Sequence, residues 1–210
     1  MRIWIVLVAL IAALVAVYGW LSAMPTDQER EEVYRKPPPA KRPARKATLK
    51  PGRVVELHTA RGRIDFVLFE KDCRLTTARI ADLVTHKRYD NAPFVRVEPN
   101  ELIQTGVPSG PLRPIKREVV QGLLHEKGAV GIARGNRPDS ATSAIYILVE
   151  PRHDLDYSYA VFGRVIRGMD AVTKIRVGDK ITKAVLRPST AEDRSLLMRC
   201  LQIEVERKTN

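Results

Sequence analysis

The side chains of this 210-residue chain best suited to metal or disulfide chemistry are four histidines and two cysteines, and their spacing supports neither. His58, His86, His125 and His153 show no ligand spacing with one another or with Cys73 and Cys200, so no metal site is expected. Two cysteines far apart in sequence make no disulfide framework and leave the redox compartment open. No residue pattern calls for a cofactor. Charge is the next candidate. The net charge is +12, and residues 35–53 hold eight basic side chains and no acid, two thirds of that excess. Such a segment can meet nucleic acid, anionic lipid or an acidic polymer. It lacks the interleaved aromatics that stack on bases, so nucleic acid is not the expected partner. A solvated, self-repelling spacer is the plainer reading.

The elements around these residues fall into three parts. Ile3 to Met24 is a run of 22 uncharged residues, about 33 Å long as a helix at 1.5 Å per residue, which matches a bilayer core of roughly 30 Å. Tyr18 and Trp20 near its far end suit an interfacial belt. A secretory signal is the rival reading, but the apolar run is long for one and the Leu-Ser-Ala before Met24 is a poor cleavage site. The expectation is a single-pass anchor over residues 1–24 in the cytoplasmic membrane, with the rest of the chain on the extracytoplasmic side. Residues 25–52 carry six of the fourteen prolines and the basic cluster, an extended linker.

From Arg53 the pattern turns to short alternating runs. Residues 54–58 and 64–69 flank Ala60-Arg61-Gly62 as a hairpin, and further strands are expected at 94–97, 102–105, 129–133, 144–149 and 160–166. Helices are expected over Thr76–His86 and Met169–Ile175, and Leu201-Gln202-Ile203-Glu204-Val205 alternates like a closing strand. Many short strands with two helices predict an all-β barrel or sandwich over residues 53–207.

One stretch is specific. Phe94-Val95-Arg96-Val97-Glu98-Pro99-Asn100-Glu101-Leu102-Ile103-Gln104-Thr105-Gly106 resembles, without a gap, the cyclophilin signature F-H-R-V-x-x-G-F-x-x-Q-x-G. Tyr89-Asp90 precedes it as the family's Y-D does. Gly128 to Arg134 resembles G-x-x-x-M-A-R, Ser140 to Ile147 resembles S-A-T-S-Q-F-F-I, and Leu155-Asp156 with Tyr159 to Val165 resembles L-D-G-x-Y-A-V-F-G-R-V. The ordered series runs from about Val54 to Val185. The resemblance implies a closed eight-stranded antiparallel barrel capped by two helices, binding proline-containing polypeptides on one outer face. It also implies prolyl cis-trans isomerisation.

That chemistry needs few groups. An X-Pro bond turns over a barrier of roughly 18–20 kcal/mol because amide resonance must be broken. A guanidinium aimed at the proline nitrogen meets a lone pair that exists only in the twisted state. By resemblance that group is Arg96. Gln104 would orient it or touch the substrate backbone, and the main chain at Ala133 and Arg134 would pair with the substrate strand. Leu102, Tyr146 and Leu155 would line the proline pocket, with Tyr159 beside them. The sequence departs from the family at Glu101, where a pocket-floor phenylalanine is usual, and at Ala144, where a substrate-binding glutamine is usual. Asp154 stands where some members carry tryptophan, and Val95 replaces the signature histidine. Three readings stay open: an active isomerase for exported or membrane proteins, a proline-peptide-binding module or chaperone with little catalysis, and an interaction protein working through its basic tail. Residues 187–200 read as an insertion before the last strand.

Overall fold

The computed structural model describes residues 46–106 and 112–209, with backbone alone over 203–209. The expected anchor and residues 25–45 of the linker lie outside the described residues, among which no helix is long and apolar enough to cross a membrane.

Eight antiparallel strands form one curled sheet. They are β1 (Val54–Thr59), β2 (Gly62–Leu68), β3 (Phe94–Glu98), β4 (Leu102–Thr105), β5 (Ala129–Ile132), β6 (Ile145–Leu148), β7 (Ala160–Arg167) and β8 (Ile181–Arg187), in the order β3-β4-β6-β5-β7-β2-β1-β8. Three helices accompany them: α1 (Arg74–Thr85), α2 (Met169–Lys174) and α3 (Ala191–Thr209). The strand positions follow the alternation of apolar residues, whose inward members (Leu57, Ile64, Phe66, Ile103, Ile147, Val130) are buried. α1 buries Ile80, Leu83 and Val84, and its first amides, Leu75 and Thr76, donate to the Glu118 carboxylate at 3.0 and 2.7 Å.

The expected closed barrel is a curled half-barrel. Its edge strands β3 and β8 share no ladder and meet only at a bridge between Pro93 and Lys180. Around that bridge the Phe94 amide donates to the Asp179 carbonyl at 2.8 Å, and the Ile181 amide to Ala92 at 2.9 Å. Proline has no amide hydrogen to extend the pairing there. Beyond the bridge the β3–β4 turn faces α2 across a groove of about 620 Å³ lined by Val97, Ile103, Val149, Val172 and Arg176.

The C-terminus also departs from the expected pattern. The expected closing strand at Leu201–Val205 and the expected insertion from residue 191 on are instead the helix α3, and β8, paired with β1 from Val54↔Arg187, ends the sheet. A cap decides it. Thr190 and Asp193 exchange hydrogen bonds, Asp193 N to Thr190 Oγ1 at 3.2 Å and Thr190 N to Asp193 Oδ2 at 2.8 Å, a capping box that starts the helix. Leu197 then buries fully against the core. The five-residue alternation is too short to compete with that start.

Candidate functional site

Arg96 owes its position to a β-bulge. Phe94 pairs with Thr105, but Arg96 pairs with Gln104, so Val95 is the extra residue. Two residues apart on a regular strand, Phe94 and Arg96 would share a face. The bulge sends Phe94 into the core at 1% exposure and turns Arg96 outward, with Val95 half exposed. Across the sheet the register then runs Arg96↔Gln104↔Tyr146↔Gly131. Leu102 lies two residues along β4 on the same face, paired with Glu98 and Leu148 and buried.

Tyr146 is the floor of this row. Its ring lies over Gly131, where any Cβ would collide with the ring and hydroxyl, so glycine is required by the close approach. Tyr159 packs edge-on to Tyr146 at 6.4 Å between centroids, and the Arg134 guanidinium sits 4.3 Å above the Tyr159 ring. Arg134 is fixed by donating Nη2 to the Ser158 carbonyl at 3.1 Å and Nη1 to Gly135 at 2.8 Å. The structure thus brings Arg96, Gln104, Leu102, Tyr146, Tyr159 and Arg134 onto neighbouring positions of one face. Ala133 spends its amide on the Ala144 carbonyl at 2.8 Å, extending the β5–β6 ladder. Leu155 is half-buried in a short 3-10 turn, His153–Leu155, and its carbonyl accepts from the Tyr159 amide at 3.1 Å.

Glu101 does not reach Arg96. It is exposed and pairs with Arg152, which also donates Nε to Asp154 at 2.9 Å. So the position where the family has phenylalanine and the one where some members carry tryptophan are here joined by one arginine into an ion-paired strip. The carboxylate that holds Arg96 is Glu98, whose Oε1 accepts from Nε at 2.7 Å and Nη2 at 2.5 Å. Two-residue spacing on a strand puts Glu98 on the same face as Arg96, a signal legible in the sequence.

The other unforeseen partner is His125, fully buried behind Tyr146. Its ring stacks parallel to Tyr146, its Nε2 lies 2.7 Å from the tyrosine hydroxyl, and its Nδ1 lies 3.0 Å from Asp156 Oδ1. An ionised Asp156 accepts only, so Nδ1 carries the proton and the Tyr146 hydroxyl donates to Nε2. Burial holds His125 below the usual histidine range, against the pull of Asp156. Burial also raises the Tyr146 phenol well above its usual range. For Asp156, burial alone would raise the carboxyl, but the His125 hydrogen bonds bring it below the ordinary value. The pH consequence has one sign. Native His125 resists a proton that the unfolded chain takes up below about pH 6.5, so stability falls as pH falls below that value. Asp156 adds to the loss in more acid solution, as pH falls through its depressed native value. Urea unfolding of wild type and His125→Gln between pH 7.5 and 5 should show the wild-type slope steeper by up to about 1.4 kcal/mol per pH unit.

Among the described residues no three His, Cys, Asp or Glu side chains come together as a metal site.

The sequence model of the family described as cyclophilin type peptidyl-prolyl cis-trans isomerase matches residues 54–192. A peptidyl-prolyl cis-trans isomerase of Acinetobacter baylyi is 36% identical over 133 residues, 58% of this chain and 71% of that protein. Peptidyl-prolyl cis-trans isomerase B of Escherichia coli is 31% identical over 137 residues, 59% of this chain and 84% of its own. A cyclophilin structure from Cryptosporidium parvum superposes with a TM-score of 0.61 at 20% identity, covering 66% of this chain and 99% of that one. The same protein solved in the presence of the dipeptide Ala-Pro gives 0.60, again at 20% identity, over 65% of this chain and 99% of its own. These likenesses to solved structures concern the fold.

Proposed function

Because the chain belongs to the cyclophilin-type peptidyl-prolyl cis-trans isomerase family, we propose that it accelerates X-Pro bond rotation in polypeptide clients through Arg96 on the outer face of its half-barrel. The observation that carries this reading is the row Arg96–Gln104–Tyr146, which sets a guanidinium and an amide beside a buried aromatic across three adjacent strands. The proline ring rests against Tyr146 and Leu102, while Arg96 donates toward the proline nitrogen as the amide twists. Because that lone pair is absent in the planar ground state, the interaction lowers the barrier without tightening substrate binding equally. Gln104, opposite Arg96 in the register, contacts the substrate backbone, and the main chain at Ala133 and Arg134 lies along the substrate strand.

The pocket is shallow and slow by this reading. Glu101, turned to Arg152, supplies no apolar floor, and a buried aromatic is worth on the order of 1.5–3 kcal/mol. Half of that withheld from the transition state is about a three- to tenfold loss of rate. A protease-coupled assay on a short Ala-Pro peptide tests the proposal: the chain should speed isomerisation measurably above the uncatalysed rate. If the peptide binds with no acceleration, the binding-module reading, which Glu101 and Ala144 favour, replaces it.

The clients we assign to this enzyme are exported or membrane-associated proteins. The support is the uncharged 22-residue run at Ile3–Met24, followed by the proline-rich basic linker. The full-length protein should sediment with membranes and resist carbonate extraction. A soluble mature form beginning near residue 24 would instead mark the run as a cleaved signal.

A further inference from the structure

We infer that Glu98 is the positioning residue of the site, fixing the Arg96 fork before substrate arrives; this rests on the reading of the chain as a prolyl isomerase with Arg96 as its catalytic group. Beyond the Val95 bulge, β3 is regular, so Arg96 and Glu98 project from one face two residues apart. One carboxylate oxygen of Glu98, Oε1, accepts from both Nε at 2.7 Å and Nη2 at 2.5 Å. Gripping that edge fixes the plane of the guanidinium and directs the Nη1 side away from Glu98. Gln104, directly across the ladder, is free by this arrangement to serve the substrate rather than the arginine.

The physical reason for such a clamp is entropy. An arginine side chain has several rotatable bonds, and one left to wander must be ordered as the amide twists, which subtracts from transition-state stabilisation. Held in advance, the same donors act at no further ordering cost. The clamp leaves little trace in stability, because both side chains are partly exposed, 28% and 35%, and surface ion pairs contribute little to folding. A positioning role therefore separates from a structural one in the measurements.

Glu98→Ala, Glu98→Gln and Arg96→Lys, singly and with Glu98→Ala combined with Arg96→Lys, should be compared with wild type in the protease-coupled Ala-Pro assay. We expect Glu98→Ala to lower kcat about three- to tenfold with KM within about twofold, since only transition-state alignment is lost. Glu98→Gln, whose carbonyl oxygen can accept the same two bonds, should recover part of that loss. Lysine has no Nε/Nη2 edge for Glu98 to grip, so Glu98→Ala should add no further loss in the Arg96→Lys background. Melting temperatures of the Glu98 variants should stay within about 2–4 °C of wild type. Unchanged or raised activity of Glu98→Ala overturns the inference, the latter meaning that Glu98 holds Arg96 off the substrate. An equal fall in the Arg96→Lys background overturns it too. If wild type itself gives no acceleration, the isomerase reading fails and the inference with it. An active wild type with an indifferent Glu98→Ala sinks the inference alone.

Discussion

Arg96→Ala lowers kcat/KM for a short Ala-Pro peptide about a hundredfold and leaves the fold in place. The magnitude follows from what the guanidinium does. Removing one preorganised donor from a site of developing charge or lone-pair density costs about 2.7–4 kcal/mol in comparable systems, two to three decades of rate. Among the described residues, the other guanidiniums near this face are engaged: Arg134 with Ser158, Gly135 and the Tyr159 ring, and Arg152 with Glu101 and Asp154. Stability should hold because Arg96 lies on the outer face at 28% side-chain exposure, where truncation opens no core cavity. The loss should appear in kcat with KM little changed, since the interaction belongs to the twisted amide. Stopped-flow turnover at several peptide concentrations, with thermal unfolding of both proteins, makes the comparison. An Arg96→Ala variant that isomerises as fast as wild type would falsify the catalytic assignment and promote the binding-module reading.

What the sequence made legible was whatever depends on local alternation or on an ordered series of motifs. The first hairpin, the strands around Arg96 and Gln104, and both expected helices fall within a few residues of their expected places. At the C-terminus the alternation of Leu201–Val205 is a short local signal, and the Thr190–Asp193 cap upstream of it overrides it. Bulges are equally opaque: nothing in Phe94-Val95-Arg96 announces that its two ends face opposite ways, because the bulge is set by the partner strand. Glu98 was within reach, being two positions from Arg96 on a strand. His125 was not, since its pairing with Tyr146 and Asp156 joins residues 21 and 31 positions away. Glu101 faces Arg152 for the same reason: that arginine lies 51 residues on, and only the folded chain sets it closer than Arg96.

The helix that replaced the expected strand is locked by charge, and Asp193→Ala should be strongly destabilising although it lies away from the pocket. Asp193 has a side chain only 1% exposed, yet it is ionic. Its Oδ2 accepts from Arg187 Nη1 at 2.6 Å and from the Thr190 amide at 2.8 Å, while Oδ1 pairs with Arg167. The same two arginines face the buried Asp65 at 3.6 Å each, and Arg187 Nε also donates to Glu56 at 2.5 Å. One carboxylate thus joins the first turn of α3 to β7 and β8. Removing it breaks a buried pair and a helix cap together, about 3–5 kcal/mol. For a domain of this size that is a fall in Tm on the order of 10 °C. Asp193→Asn should cost less, because an amide oxygen can still accept from Thr190 and one arginine. The Arg187 hydrogen bond holds the Asp193 carboxyl far below the usual range. Its contribution is therefore fully present above about pH 4, the unfolded value, and fades only as acid approaches the depressed native one. Salt should change the difference little, since buried pairs are weakly screened. Activity per folded molecule should be unchanged at 25 °C, because the partners of Asp193, namely Thr190, Arg167 and Arg187, are none of the residues on the Arg96 face. Differential scanning calorimetry at pH 7 in 0.1 and 0.5 M NaCl, paired with the peptide assay, reads the Tm, salt and activity expectations. A Tm within 2 °C of wild type, a shift of about 1 kcal/mol or less, would show that α3 is held by Leu197 and its apolar neighbours, and that the charges merely accompany it.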